Sequence, residues 1–100
     1  MDENSYNLRF TGPFSRRFKQ IKKDQIKLAE KILKVLYFLK NNPKYPSLHS
    51  HKVSTSQYGE CWSSRVTGDL RIIWNFDEGN TLTILLLDIG GHSGKHKVYK

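Results

Sequence analysis

Cysteine is nearly absent. Cys61 is the only one in 100 residues, so no internal disulfide can form and no set of thiolates can hold a metal. That excludes a disulfide-stapled secreted scaffold and makes a reducing cytoplasm the expected setting. Long hydrophobic runs are missing too: the longest apolar stretch, 82–87 with Thr83 included, falls far short of the roughly 20 residues of a membrane span, and no membrane association is expected. The opening Met1-Asp2-Glu3-Asn4 is acidic and polar, so no secretory signal is expected. Acidic residues are scarce, 9 Asp and Glu against 17 Lys and Arg, for a formal net charge of +8 and a pI near 9.8. Such a surface favours polyanions, nucleic acid first and acidic protein or anionic membrane second. Repeats, linkers and low-complexity segments are also lacking. With 37% hydrophobic residues, of which aromatics make up 12% of the chain, residues 1–100 are expected to form one domain around one core.

The basic excess is concentrated. Residues 9–44 hold 11 Lys and Arg against Asp24 and Glu30, a net of +9, whereas residues 45–100 carry a net of +1. The same first half has helical periodicity. Phe14, Phe18 and Ile21 recur at i, i+4, i+7, as do Leu28, Ile32, Val35 and Leu39, with Ala29, Leu33 and Leu36 widening the second stripe. Pro13 suits a first helical turn, Asp24 a cap for the second helix, and Asn41-Asn42-Pro43 a stop. Two helices over 13–23 and 25–41 are expected. Beyond Pro46 the period becomes alternating, with Leu70, Ile72, Trp74 and Phe76 on one face, and Leu82, Ile84 and Leu86 sharing one in the next strand. Strands over 61–66, 70–76 and 82–89 form an antiparallel meander, turning at Thr67-Gly68-Asp69 and at Asp77-Glu78-Gly79-Asn80. The last strand is apolar on both sides, as an interior strand is, and a strand near 6–10 joins the edge. The class is α+β, two helices on an antiparallel sheet.

The hairpin around Gly68 carries the first chemical signal. If Trp62 and Val66 share the buried face of Leu70 and Ile72, the loop is residues 67–69 and Arg65 stands opposite Arg71 on the other face. Like charges in that position destabilise a sheet by an amount comparable to the roughly 0.2–1 kcal/mol of favourable pairs. Either an anion such as phosphate lies between them, or they fan into water or pair with Asp69 and Glu60. Histidines give the second signal. All four fall in two short segments, Leu48-His49-Ser50-His51-Lys52 and Gly90-Gly91-His92-Ser93-Gly94-Lys95-His96. Imidazoles beside Lys and Arg are the composition of a metal-free ribonuclease site, although surface histidines without a role would look alike. A zinc site is disfavoured by adjacent cations and the lack of a nearby carboxylate, and no metal or other cofactor is expected. Cys61, beside Trp62, reads as a packed residue rather than a nucleophile. The lysines at 19, 22, 23, 27, 31 and 34 read as a solvated helix face or as phosphate contacts.

In order along the chain, Phe14-Ser15-Arg16-Arg17-Phe18, Asn42-Pro43, Leu48-His49-Ser50-His51-Lys52-Val53, the stretch from Trp62 to Trp74, Asp88-Ile89-Gly90-Gly91-His92 and Val98-Tyr99 resemble the RelE/ParE superfamily of toxins from type II toxin–antitoxin pairs. The pattern is most similar to the RelE and YafQ-like mRNA endoribonucleases. That resemblance implies two N-terminal helices on an antiparallel sheet, metal-independent cleavage of mRNA on the ribosome, and a cognate antitoxin partner. It places the histidine after the helical hairpin at His51, with His49 as alternative, and the basic position before the turn at Arg65. The acidic position after the turn falls at Asp69, the strand arginine at Arg71, the Gly-x-His histidine at His92, with His96 as alternative, and the closing aromatic at Tyr99. Lys19, Lys22, Lys23, Lys27, Lys52, Lys95 and Lys97 become RNA contacts. Asp88 stands where a basic residue is usual, leaving Lys95 or Lys97 to supply that contact. Two other functions share the resemblance: a ParE-type toxin that inhibits DNA gyrase by binding, and a degenerate basic RNA-binding module.

Overall fold

The computed structural model describes residues 5–91. Strand β1 (Asn7–Phe10) leads into helices α1 (Gly12–Asp24) and α2 (Ile26–Asn41), a short 3₁₀ turn (Pro46–Leu48), and strands β2 (His51–Thr55), β3 (Gly59–Arg65), β4 (Arg71–Asp77) and β5 (Asn80–Gly90). Pro13 sits in the first turn of α1, where its missing N–H costs nothing, and Lys22 and Lys23 sit in the last turn, where the helix dipole favours cations. Asp24 does not cap α2. It ends α1 and accepts a bond from Gln20 Nε2 at 3.3 Å, one turn back, while Gln25 alone separates the helices. A carboxylate already facing the preceding turn cannot also reach the N–H groups of the next helix. The stop at Asn41-Asn42-Pro43 holds, since α2 ends at Asn41.

The helices cover one face of the sheet. Phe14 and Ile21 from α1, and Ala29, Ile32, Leu36 and Leu39 from α2, pack with Leu48, Leu70, Ile72, Trp74, Ile84, Leu86 and Ile89 in one buried cluster. Leu33 does not widen this stripe; it is 54% exposed, on the outer side of α2. Thr11 fastens the start of α1 to the sheet, its hydroxyl donating to the Leu86 carbonyl at 2.6 Å.

The strand order is β1-β5-β4-β3-β2. From β2 to β5 every pairing is antiparallel, but β1 runs parallel to β5, with Leu8 opposite Ile84, so the sheet as a whole is mixed. A parallel pair needs a long crossover, and here both helices and three strands intervene. β5 is interior, flanked by β1 and β4. Its register against β4 shifts between Ile73↔Asp88 and Trp74↔Leu86, which leaves Leu87 as an extra residue. This bulge explains why Leu86 and Ile89 both join the helix-side core although they are three positions apart. β2 was not legible as a strand: of its five residues only Val53 is apolar, and it exists through pairing with β3.

Candidate active site

Side chains alternate across the strands, so Trp62 and Ser64 on β3 and Ile72 and Trp74 on β4 face the helices, and the residues between them face away. On that second face, register aligns His51, Ser63, Ile73 and Asp88 in one row, His51 exposed and the other three buried. The next row holds Arg65, Arg71 and Gly90. Arg65 is therefore directly opposite Arg71, as the hairpin parity requires, and His51 stands one strand over and one row back. Among the described residues neither arginine has an ion-pair partner; the salt bridges are Arg9 with Asp77 and Arg17 with Asp88. Arg65 is exposed, while Arg71 is half-buried and folds back to donate to the carbonyls of Thr67 and Leu70. The opposite end of this face is acidic. Asp77, paired with Arg9, and Glu78 line a shallow depression of about 340 Å³ together with Leu85, Leu87, Tyr58 and Asn75.

The turn between the arginines is held locally. Val66 and Thr67 donate to the Leu70 carbonyl at 2.9 and 3.1 Å, and the Thr67 hydroxyl accepts from the Leu70 N–H at 3.0 Å. Asp69 is exposed at the tip. Gly91 lies so close that a Cβ there would overlap the Asp69 carbonyl oxygen, whereas a Cβ at Gly68 meets nothing within 4 Å. The chain leaving β5 thus passes against the arginine turn. Gly91→Ala is expected to cost about 1–3 kcal/mol as an overpacking change, and Gly68→Ala no more than about 0.5 kcal/mol. Equal urea midpoints for the two variants would show that this approach does not constrain the turn. His92, Lys95, His96, Lys97 and Tyr99 lie outside the described residues.

His51 is exposed, and its Nδ1 is 2.8 Å from the carbonyl oxygen of His49. A carbonyl only accepts, so this bond puts the proton on Nδ1 and leaves Nε2 as the basic nitrogen. His49 itself takes a left-handed conformation, φ 48°, at the end of the 3₁₀ turn. A polar chain that sequence reasoning missed anchors the segment to the core. Trp74 Nε1 donates to Ser64 Oγ at 2.8 Å, the Ser64 and Ser50 hydroxyls are 2.7 Å apart, and Ser50 Oγ donates to the Pro43 carbonyl at 2.6 Å. Each hydroxyl has one proton. Ser50 spends its own on Pro43, so Ser64 donates to Ser50, and the chain runs in one direction from the buried indole to the residue before His51. Two serines in unlike segments leave no periodic signal for such a chain.

Asp88 supplies no phosphate contact. It is 2% exposed and paired with Arg17 Nε at 3.1 Å, and its other oxygen accepts from the Tyr58 hydroxyl at 2.9 Å. Burial first, and then that bond to Asp88, pushes the Tyr58 hydroxyl up to about 12. Burial likewise raises the Cys61 thiol, which disfavours the thiolate and agrees with a packing role. The helix lysines Lys19, Lys22, Lys23 and Lys27 are exposed on the helical layer, away from the arginine face. Lys52 pairs with Trp62 and also turns to the helix side, opposite His51.

No model of a known protein family matches the sequence, and no curated protein matches it. Solved structures do match in fold. A YoeB/ParE toxin from Agrobacterium tumefaciens superposes with a TM-score of 0.72 at 16% identity, over 87% of this chain and 99% of that one. The YoeB–YefM complex from Staphylococcus aureus gives 0.68 at 18% identity, over 88% and 98%. The DinJ–YafQ complex from E. coli gives 0.67 at 20% identity, over 87% and 93%. The chain has the α+β fold of these toxins.

Proposed function

We propose that this chain is the toxin of a type II toxin–antitoxin pair and an endoribonuclease that cleaves ribosome-bound mRNA by metal-independent acid–base chemistry. The observation that carries the reading is the cross-strand pair Arg65 and Arg71, two guanidiniums without carboxylate partners among the described residues, on the face that also bears His51. Such a pair is stabilised by an anion, and a phosphodiester brings one. In the reaction the RNA 2′-oxygen attacks the adjacent phosphorus as the bond to the 5′-oxygen breaks. His51 Nε2 accepts the 2′-hydroxyl proton, His92 or His96 protonates the leaving 5′-oxygen, and the arginines hold the charge of the phosphorane. Base and acid exchange roles in the alternative assignment, with His49 as substitute base. Tyr99 stacks on or orients a base. Asp69, at the tip of the turn, borders the site.

The helix lysines Lys19, Lys22, Lys23 and Lys27, with Lys95 and Lys97, are phosphate contacts for the ribosome. The setting is cytoplasmic, and among the described residues no helix is long and apolar enough to cross a membrane. The partner is an antitoxin, as in the toxin complexes of similar fold, whose acidic segment occupies the arginine face or displaces the 92–99 segment. Incubating the protein with translating ribosomes and mapping mRNA ends is expected to yield fragments with 2′,3′-cyclic phosphate and 5′-hydroxyl ends, including when Mg²⁺ is chelated and restored only to what intact ribosomes require. Intact mRNA together with inhibited DNA gyrase in a parallel supercoiling assay would replace this reading with the ParE-type one. Intact mRNA with ribosome binding alone would replace it with the degenerate module.

A further inference from the structure

We propose that Lys44, Lys52, Trp62 and Tyr45 form a second contact for single-stranded RNA, on the helix side of the sheet and separate from the arginine face. Trp62 leaves β3 toward the helices and stacks on Trp74, with ring centroids 5.6 Å apart and planes at 15°. Two ammonium groups lie over the same ring: Lys44 Nζ, from the loop after α2, is 5.2 Å from the centroid, and Lys52 Nζ, from the opposing position on β2, is 5.8 Å. They are therefore no more than 11 Å apart, and among the described residues neither has an ion-pair partner. An indole face attracts each cation but does not neutralise it. Two like charges gathered at one ring, at the edge of a chain of net charge +8, form a seat for two successive phosphates.

The neighbouring ring supplies the second half of the contact. Tyr45 follows Lys44 directly, is stacked on Phe38 with centroids 4.8 Å apart and planes at 8°, and is still 41% exposed. A ring backed on one side and open on the other is a platform for an unpaired base. Paired cations beside an open aromatic ring match a single strand, whose bases are free to stack, better than a duplex, whose bases are not. This contact deepens the RNA reading given above. On the ribosome it would hold an RNA segment other than the one being cut, because alternation along β2 and β3 puts Lys52 and Trp62 on the face opposite His51 and Arg65.

The test reads binding rather than cleavage, using a fluorescence titration with a 2′-O-methyl oligouridine of about eight nucleotides, a length suited to a short single-strand site. The 2′-O-methyl group blocks in-line attack while keeping phosphates and bases. Trp62 and Trp74 are the two tryptophans, and Trp74 is fully buried, so quenching on binding reports Trp62. Lys44→Met with Lys52→Met keeps the hydrocarbon cover over the indole and removes both charges. That variant is expected to lose the quench and to lower the salt slope of binding by about 1.4, close to 0.7 for each lost phosphate contact to a single strand. Tyr45→Ala is expected to weaken binding by about 5- to 150-fold, the range for removing one stacking ring. Lys31→Met with Lys34→Met, which removes the same charge elsewhere on α2, is expected to leave the quench in place. Unquenched wild-type protein, or equal affinity and quench in the Lys44/Lys52 variant, overturns the proposal. So does a duplex that competes equally while Tyr45→Ala is silent. A protein that binds through this patch and cuts no mRNA leaves the contact standing and removes only the nuclease reading.

Discussion

Replacing His51 by alanine is expected to slow mRNA cleavage by about 10²- to 10⁴-fold, the cost of losing a general acid or base. Arg71→Ala is expected to slow it by about 10²- to 10³-fold, the cost of removing one group that stabilises transition-state charge. His51 is singled out by its hydrogen bond to the His49 carbonyl, which engages Nδ1 and turns Nε2 away from that bond. Arg71 needs a control, because it also binds the carbonyls of its own turn. Urea midpoints of both variants separate lost chemistry from lost structure, and Arg71→Lys keeps the charge without the fork that grips a phosphate in two places. Cys61→Ser serves as the contrast, since that thiol is buried and its pKa is raised, and its cleavage rate should stay near that of the wild type. Wild-type rates for His51→Ala, Arg71→Ala and His92→Ala together would sink the nuclease reading.

The second large effect is on stability, and it is asymmetric. Arg17→Met is expected to destabilise the fold by about 3–5 kcal/mol, because it leaves the buried Asp88 carboxylate without its cation. Among the described residues, the Tyr58 hydroxyl and the Ile89 N–H, at 2.9 and 2.8 Å, would still hold it. Asp88→Asn is expected to cost less, since the Arg17 side chain is 30% exposed and can turn to water. Tyr58 adds a dependence on alkaline pH. With its hydroxyl at about 12 against 10 when free, its contribution is complete below pH 10 and is lost as pH rises through 12, and Tyr58→Phe should remove that part of the alkaline decline. Urea midpoints across pH measure all three. An Arg17→Met midpoint no lower than that of Asp88→Asn would contradict the asymmetry.

Sequence alone determined the class, the two helices to within a residue or two, the three-strand meander, and the opposition of Arg65 and Arg71. Each of these rests on a local rule. Periods of 3.6 and 2 are written in neighbouring residues, and the parity of a hairpin depends only on its loop length and on which residues must be buried. His51, placed beside that pair by resemblance, does share its face and its end of the sheet. Tertiary structure decided the rest. The five residues of β2 form a strand because β3 offers them a ladder, and β1 lies parallel to β5 because the helices carry the chain over the sheet before it returns. The bulge at Leu87 sends Asp88 to Arg17 and Tyr58, and the buried run from Trp74 through Ser64 and Ser50 reaches the histidine segment. Lys52 faces away from His51, its neighbour in sequence, for the same reason. Pairings between distant segments are chosen by what the whole chain can bury and satisfy at once, and no window of neighbouring residues contains that choice.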